Sequence, residues 1–213
     1  MSCVQNEQHN RVTTHSMHMT EPRQEARPGS RYNQDPRKPA RRESTCRDYY
    51  TEVPYLPSSK VQTLNITQLL EGRTGRLADL GSGDGRVVFA ASSAGFQCTG
   101  FEINSILVAC AKSKALWTGV PSSQATFVKK DFWKTDLSTY NNVTAFLAPG
   151  VMEVLGEKLL KELPDDACVV TSRFPFPDWP QKSSVGSGLD QTFSYDISTV
   201  RSHLRKIPKT VLH

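Results

Sequence analysis

The rhythm of apolar and polar positions changes along this chain. Residues 1–48 hold hardly an aliphatic side chain; Gln, Asn, His, Arg and Pro dominate. Such a segment cannot bury enough apolar surface to outweigh the entropy of ordering it, so disorder is expected there. From Tyr49 onward apolar runs recur. Val53-Pro54-Tyr55-Leu56-Pro57 reads as extended, because each proline biases the residue before it away from helix. Ser58 or Ser59 is placed to cap a helix with Val61, Leu64, Ile66, Leu69 and Leu70 on its apolar face, ending near Gly72.

Short continuous apolar runs then alternate with helical periodicity. Strands are expected at residues 76–80, 96–103, 125–130, 142–147 and 167–174, and helices at 87–93, 105–118 and 152–163. The helix over 105–118 has Ile106, Leu107, Ala109, Cys110, Ala115 and Leu116 as its expected core side. A final antiparallel pair, residues 185–188 and 191–197, is joined around Leu189-Asp190. The alternation predicts an α/β fold: a doubly wound, mostly parallel sheet with helices on both faces and an antiparallel C-terminal hairpin. The expected division is a polar segment over 1–48, a folded domain over 49–201 and a basic tail over 202–213.

Charge changes this picture little. The net charge of +5 is concentrated at the ends. Residues 1–50 carry nine basic and six acidic side chains, and 201–213 carry four and none, leaving 13 basic and 15 acidic between them. No basic stripe with interleaved aromatics accompanies them, so nucleic acid is not the expected partner. The five cysteines have no CxxC spacing and read as small buried hydrophobes of a reducing compartment. No zinc constellation is expected, and His9, His15 and His18 read as solvated. No apolar run approaches the length of a membrane span, and no secretory signal pattern opens the chain.

The candidate chemistry stands at strand ends. Leu77-Ala78-Asp79-Leu80 runs into Gly81-Ser82-Gly83-Asp84-Gly85 and out into a helix. Glycines let the backbone approach a ligand there, and the helix start presents free N–H groups. Glu102, at the end of the second strand, suits the two hydroxyls of a ribose, with Asn104 beside it. Asp131, at the end of the third strand, suits an exocyclic adenine amine, with Phe132 or Trp133 against the ring. A pyrophosphate would call for GxGxxG and few acids. The spacing here is GxGxG, and Asp79 and Asp84 place negative charge at the turn. That favours a cationic group, such as the amino group and sulfonium of S-adenosylmethionine, over a nicotinamide dinucleotide.

Taken together these residues resemble class I, seven-strand, Rossmann-like methyltransferases. The resemblance extends to Pro54-Tyr55-Leu56-Pro57-Ser58, Gly100-Phe101-Glu102-Ile103-Asn104, Lys130-Asp131-Phe132-Trp133-Lys134, Phe146-Leu147-Ala148-Pro149 and Arg173-Phe174-Pro175-Phe176-Pro177-x-Trp179. With Gly186-x-Gly188-Leu189-Asp190 and Tyr195-Asp196, that ordered set is similar to the mitochondrial protein-lysine N-methyltransferases. Two branches of that family act on the adenine nucleotide translocase and on the c subunit of ATP synthase. The run Tyr195–Arg201 leans towards the c-subunit branch.

The resemblance implies S-adenosylmethionine as cofactor, a lysine of a mitochondrial membrane protein as acceptor, and action as a monomer. It places the acceptor over Leu147-Ala148-Pro149, with Pro149 and Tyr55 in its channel and the Arg173–Pro177 stretch with Trp179 as the other wall. Family members carry an apolar N-terminal segment used in membrane association; residues 1–48 here are polar and Arg-rich, which leaves membrane association open. Two alternatives stand beside this reading: a non-catalytic cofactor-binding module, and a methyltransferase with a small-molecule or nucleic-acid acceptor. Ala148-Pro149-Gly150 is not the Asn/Asp-Pro-Pro-Tyr loop that amide or base nitrogens call for.

Overall fold

In the computed structural model, which describes residues 56–206, Ser59 opens the first helix. Its hydroxyl accepts the Gln62 N–H at 3.0 Å, and Gln62 Oε1 accepts the Ser59 N–H at 2.9 Å. This reciprocal cap satisfies two backbone donors at the start of α1 (Lys60–Leu69). The chain continues through β1 (Arg76–Leu80), α2 (Arg86–Ser93), β2 (Gln97–Glu102), α3 (Ser105–Thr118) and β3 (Ala125–Lys129). It returns as β4 (Asn142–Ala145), α4 (Met152–Glu162) and β5 (Cys168–Ser172), and closes with β6 (Ser183–Val185), β7 (Thr192–Asp196) and α5 (Ile197–Lys206).

The seven strands are ordered β3-β2-β1-β4-β5-β7-β6. The first five are mutually parallel, and β7 runs antiparallel to both β5 and β6. An antiparallel pair is therefore present, with β7 between β5 and β6; its second arm lies where expected, whereas its first arm is Ser183–Val185 and not 185–188, Gly188 opening a 3-10 turn instead. The winding reverses between β1 and β4, and a crevice opens beyond the strand ends at such a switch point.

Both sheet faces are covered, so the central strands are buried almost throughout, as in β1, where only Arg76 is exposed. Leu77, Cys98, Phe127 and Val170 pack on one face against Ile66, Val88 and Ala111 of α1, α2 and α3. Ala78, Val143, Val169 and Tyr195 pack on the other against Leu155, Leu159, Ile197 and Val200 of α4 and α5.

Two helix faces differ from the hydropathy pattern. In α1 the buried residues are Gln62, Asn65 and Ile66, while Val61 and Leu64 are exposed. The inner face of α1 meets the turn before β7, where Gln62 Nε2 donates to the Leu189 carbonyl at 2.7 Å and Asn65 Nδ2 to that of Asp190 at 2.8 Å. Polar side chains are needed there, because buried carbonyls require donors. In α3 the buried residues are Val108, Ala111 and Ala115; Ile106, Ala109, Cys110 and Leu116 face outward. Cys110 is thus an exposed thiol, whereas Cys98 and Cys168 are buried as expected.

The basic residues from 202 to 206 belong to α5, which is held by buried Ile197 and Val200 and by Leu204 against the core. The expectations for Tyr55 and for residues 1–48 and 207–213 lie outside the described residues.

Candidate active site

Beyond the ends of β1, β2 and β4 lies a cleft of about 720 Å³. One side of it is the glycine turn. Gly81, Gly83 and Gly85 all have positive φ, 80°, 54° and 84°. The turn is tied down from below, since the N–H groups of Gly81 and Ser82 both donate to the Phe101 carbonyl, at 2.9 and 3.0 Å. Gly81 lines the cleft; Gly85 does not. A Cβ at Gly85 would stand 2.5 Å from the Phe127 ring, so this position serves the packing of α2 on the sheet.

Glu102 is set by three backbone donors. Its Oε2 accepts the Gly83 N–H at 3.0 Å, and its Oε1 accepts the N–H groups of Ile103 and Asn104, each at 2.9 Å. A carboxylate offers about four lone-pair directions; three are taken by these donors, which leaves about one, on Oε2, for a ligand hydroxyl. Asn104 caps α3: its Oδ1 accepts from Ile106 N at 2.9 Å and Leu107 N at 3.4 Å.

Asp79 lies at the floor, 5% exposed. The Thr144 hydroxyl donates to its Oδ1 at 2.8 Å. Burial pushes its carboxyl up to about 7, opposed by the Thr144 hydrogen bond and reinforced by the negative charge of Glu102. A buried acid of this kind favours a positively charged partner, whose arrival stabilises the ionised form. Asp84 does not add free charge in the same way, because Arg86 Nε holds its Oδ2 at 3.0 Å. The Arg86 guanidinium also reaches across to donate from Nη1 to the Ser58 carbonyl at 3.1 Å. It thereby fastens the entry strap Leu56-Pro57-Ser58 over the cleft, while the Ser59 hydroxyl donates to Asp190 Oδ1 at 2.7 Å.

The apolar part of the lining is Leu56 from the strap with Phe146, Leu147, Ala148, Pro149 and Phe174 from the segments after β4 and β5. Phe174 follows the end of β5, where Arg173 has a φ of 68°, a left-handed conformation that is rare for a residue with a side chain. The Arg173 N–H donates to the Gln191 carbonyl, and its guanidinium lies 5.2 Å from the Phe174 ring centroid. The sequence-predicted wall Arg173–Pro177 with Trp179 divides here. Phe176 and Trp179 are buried, stacked at 4.1 Å, and the Phe176 N–H donates to the Tyr195 hydroxyl. They anchor the loop, and Phe174 alone of that aromatic set lines the cleft.

Of the residues expected at the site, the cleft brings together Asp79, Gly81, Ser82, Gly83, Asp84, Glu102, Asn104 and Pro149. Asp131, Phe132 and Trp133 do not line it. Asp131 Oδ1 accepts the Trp133 N–H at 3.0 Å, and Phe132 is buried in the core under the sheet. Sequence reasoning gave no role to Thr144 or Arg86, and it named Phe174 only as part of the Arg173–Pro177 wall. A threonine in a short strand beside an acid-bearing strand was the available signal for Thr144.

The chain matches the family described as ANTKMT methyltransferase domain over residues 79–183. The human lysine N-methyltransferase of the ATP synthase c subunit is 42% identical over 161 residues, 76% of this chain and 68% of that protein. The mouse adenine nucleotide translocase lysine N-methyltransferase is 44% identical over 147 residues, 68% of this chain and 64% of that protein, just under two thirds. Among solved structures, an RNA methyltransferase from Salinibacter ruber in complex with S-adenosyl-L-homocysteine superposes with a TM-score of 0.64 at 28% identity, covering 74% of this chain and all of that one. The architecture is that of class I methyltransferases, whose methyl donor is S-adenosylmethionine. The residues of the cleft fit that donor: a carboxylate with an open acceptor position for a ribose hydroxyl, and a buried acid suited to a cation. This chain belongs to the family of protein-lysine N-methyltransferases that the ANTKMT methyltransferase domain defines.

Proposed function

We propose that this enzyme methylates a lysine of a mitochondrial membrane protein, with the c subunit of ATP synthase as the favoured acceptor and the adenine nucleotide translocase as the alternative. The observation that carries the reading is how the cleft lining divides by element. Among its lining residues the titratable ones are Asp79, Asp84, Arg86 and Glu102, at the end of β1, in the turn and helix start after it, and at the end of β2. The lining residues that follow β4 and β5, Phe146, Leu147, Ala148, Pro149 and Phe174, are apolar.

S-adenosylmethionine, when bound, supplies a methyl group on a positively charged sulfur. Glu102 and the backbone of Gly81–Gly83 would hold it, with buried Asp79 making that part of the cleft favourable to its positive charge and Asp84 already paired with Arg86. Asp131 and Trp133, outside the cleft as described, are assigned to the adenine end. The apolar wall acts on the acceptor. A lysine attacks only as a neutral amine, and surroundings such as Leu147, Pro149 and Phe174 lower an ammonium pKa by desolvation. Holding the amine in line with the methyl carbon then supplies much of the acceleration. No dedicated base is required on that wall.

The names of the relatives support both acceptors. The run Tyr195–Arg201, which leans towards the c-subunit branch, contacts the scaffold. Tyr195 binds the Phe176 N–H, and Arg201 Nη2 donates to the carbonyls of Leu160 and Leu163 at 2.5 and 2.7 Å. Among the described residues no helix is long and apolar enough to cross a membrane.

The test is incubation of the full chain with labelled S-adenosylmethionine and mitochondrial membranes, followed by mapping of the labelled lysine. Label on the small proteolipid of ATP synthase is expected, and is expected to vanish with Glu102→Ala. Label on the translocase alone reverses the order of acceptors. Label on no protein overturns the reading.

A further inference from the structure

Helix α3 lies next to the cleft but most of it takes no part there. It buries Val108, Ala111 and Ala115 and turns the remaining apolar side chains to solvent. Ile106 is 73% exposed, Leu116 83% and Trp117 93%. At 100° per residue, Ile106, Cys110, Ser113 and Trp117 form one crest directly opposite the buried stripe, with Ala109 and Leu116 on its shoulder. Ile103 prolongs the crest to the rim of the cleft, which Ile103, Asn104 and Leu107 line. Scattered exposed apolar residues need no explanation; a continuous crest of this kind on one helix does.

Charge says what the crest faces. The helix carries Lys112 and Lys114 and no acid. Over residues 103–134, which include the edge strand β3, there are five lysines and one acid. The lysines are Lys112, Lys114, Lys129, Lys130 and Lys134, all exposed. The acid is Asp131, half-buried and accepting the Trp133 N–H. This basic concentration stands out against a folded region whose charges nearly cancel. A second copy of the chain would set five lysines against five. An apolar crest with lysine shoulders and a tryptophan near one end suits an anionic lipid surface instead. At fourteen residues α3 is about 21 Å long, too short to span a bilayer and suited to lie in its plane.

We propose that α3 and the adjoining β3 edge form a membrane-docking surface for anionic lipid. Ile106, Leu116 and Trp117 sit among the upper acyl chains, and the five lysines meet the lipid phosphates. The rim at Ile103 and Leu107 then faces the bilayer, so the cleft receives side chains presented at the membrane surface. This goes beyond the proposed methyl transfer, and its test needs no acceptor protein.

The full chain is mixed with vesicles of phosphatidylcholine and phosphatidylglycerol, or of phosphatidylcholine alone, and floated. Flotation is expected with the anionic vesicles and weak with the neutral ones. Residues 1–55 also carry basic side chains, so the deciding comparison is with variants. Ile106→Ser/Trp117→Ser and Lys112→Glu/Lys129→Glu are each expected to weaken partition about tenfold or more. Both are expected to bind S-adenosylmethionine as the parent does, which shows that they are folded. Independently of folding in the variants, brominated lipid is expected to quench the parent chain's emission and to quench Trp117→Phe far less. Absence of flotation, unaltered flotation in both variants, or unquenched emission overturns the proposal. So does a dimer in solution that the Ile106→Ser/Trp117→Ser variant dissociates, since a second copy would then cover the crest.

Discussion

Asp79 on β1 and Thr144 on β4 are register partners across the point where the sheet reverses its winding, joined by a 2.8 Å hydrogen bond from the threonine hydroxyl. The pair sits on the cleft floor, and burial holds the Asp79 carboxyl up at about 7. Its folded pKa lies above its unfolded one, so the folded state binds the proton more tightly. Its contribution to stability is therefore full below about pH 4 and declines as pH rises through about 7. Asp79→Asn is expected to flatten that decline, which denaturation midpoints measured across pH will read. Binding runs the other way. A cationic cofactor prefers ionised Asp79, so S-adenosylmethionine affinity is expected to climb as pH rises towards 7 and then level. Calorimetric titrations in the same buffers, with Asp79→Asn as the flat control, check it.

Glu102 holds the glycine turn and the start of α3 in one grip, through Gly83, Ile103 and Asn104. In Glu102→Gln the amide NH₂ must oppose one of those backbone donors. Hydrogen bonds to a charged group contribute about 1.5–3 kcal/mol, so a loss of about tenfold to a hundredfold in cofactor affinity is expected. Isothermal titration with S-adenosylhomocysteine reads it without turnover.

Arg86 links the glycine turn to the entry strap through Asp84 and the Ser58 carbonyl. Both bonds are solvent-exposed, which limits their worth. Arg86→Ala is expected to raise KM for cofactor and acceptor by no more than about tenfold, with kcat changed less than about twofold. Steady-state kinetics separate the two; an equal fall in kcat would place Arg86 in the chemical step.

Gly85 shows what a ligand-turn glycine does when it serves packing. A β-carbon would meet Phe127 at 2.5 Å, on a backbone with a φ of 84°. Gly85→Ala is expected to destabilise the fold by about 2–4 kcal/mol, read as a lower Tm.

Phe174 lines the cleft among the apolar residues proposed to receive the acceptor, beside the left-handed Arg173. Phe174→Ala is expected to lower kcat/KM for the protein acceptor about tenfold while leaving cofactor affinity unchanged. A matching loss of cofactor binding would move Phe174 to the other side of the cleft.

The hydropathy pattern by itself determined the order of elements as far as β7, because a strand covered on both faces is rich in apolar residues and a helix keeps one apolar stripe; α5, with its many polar residues, was not among them. The bounds of β1 and α3 were legible to the residue. So were the acids at strand ends, since topology alone carries the ends of β1 and β2 to a common edge. What periodicity could not decide was which apolar stripe of a helix faces inward. In α1 the polar Gln62 and Asn65 won the inner face, because distant carbonyls at Leu189 and Asp190 needed donors. In α3 the small side chains of Ala111 and Ala115 won it, and Ile106 and Trp117 were left outside. The cleft shows the same division. Local sequence placed Glu102 beside the turn. Only tertiary structure brought Thr144 under Asp79, turned Phe174 to the cleft while burying Phe176 and Trp179, and neutralised Asp84 with Arg86. Those choices depend on contacts between residues far apart in the chain, whose energies no local window contains.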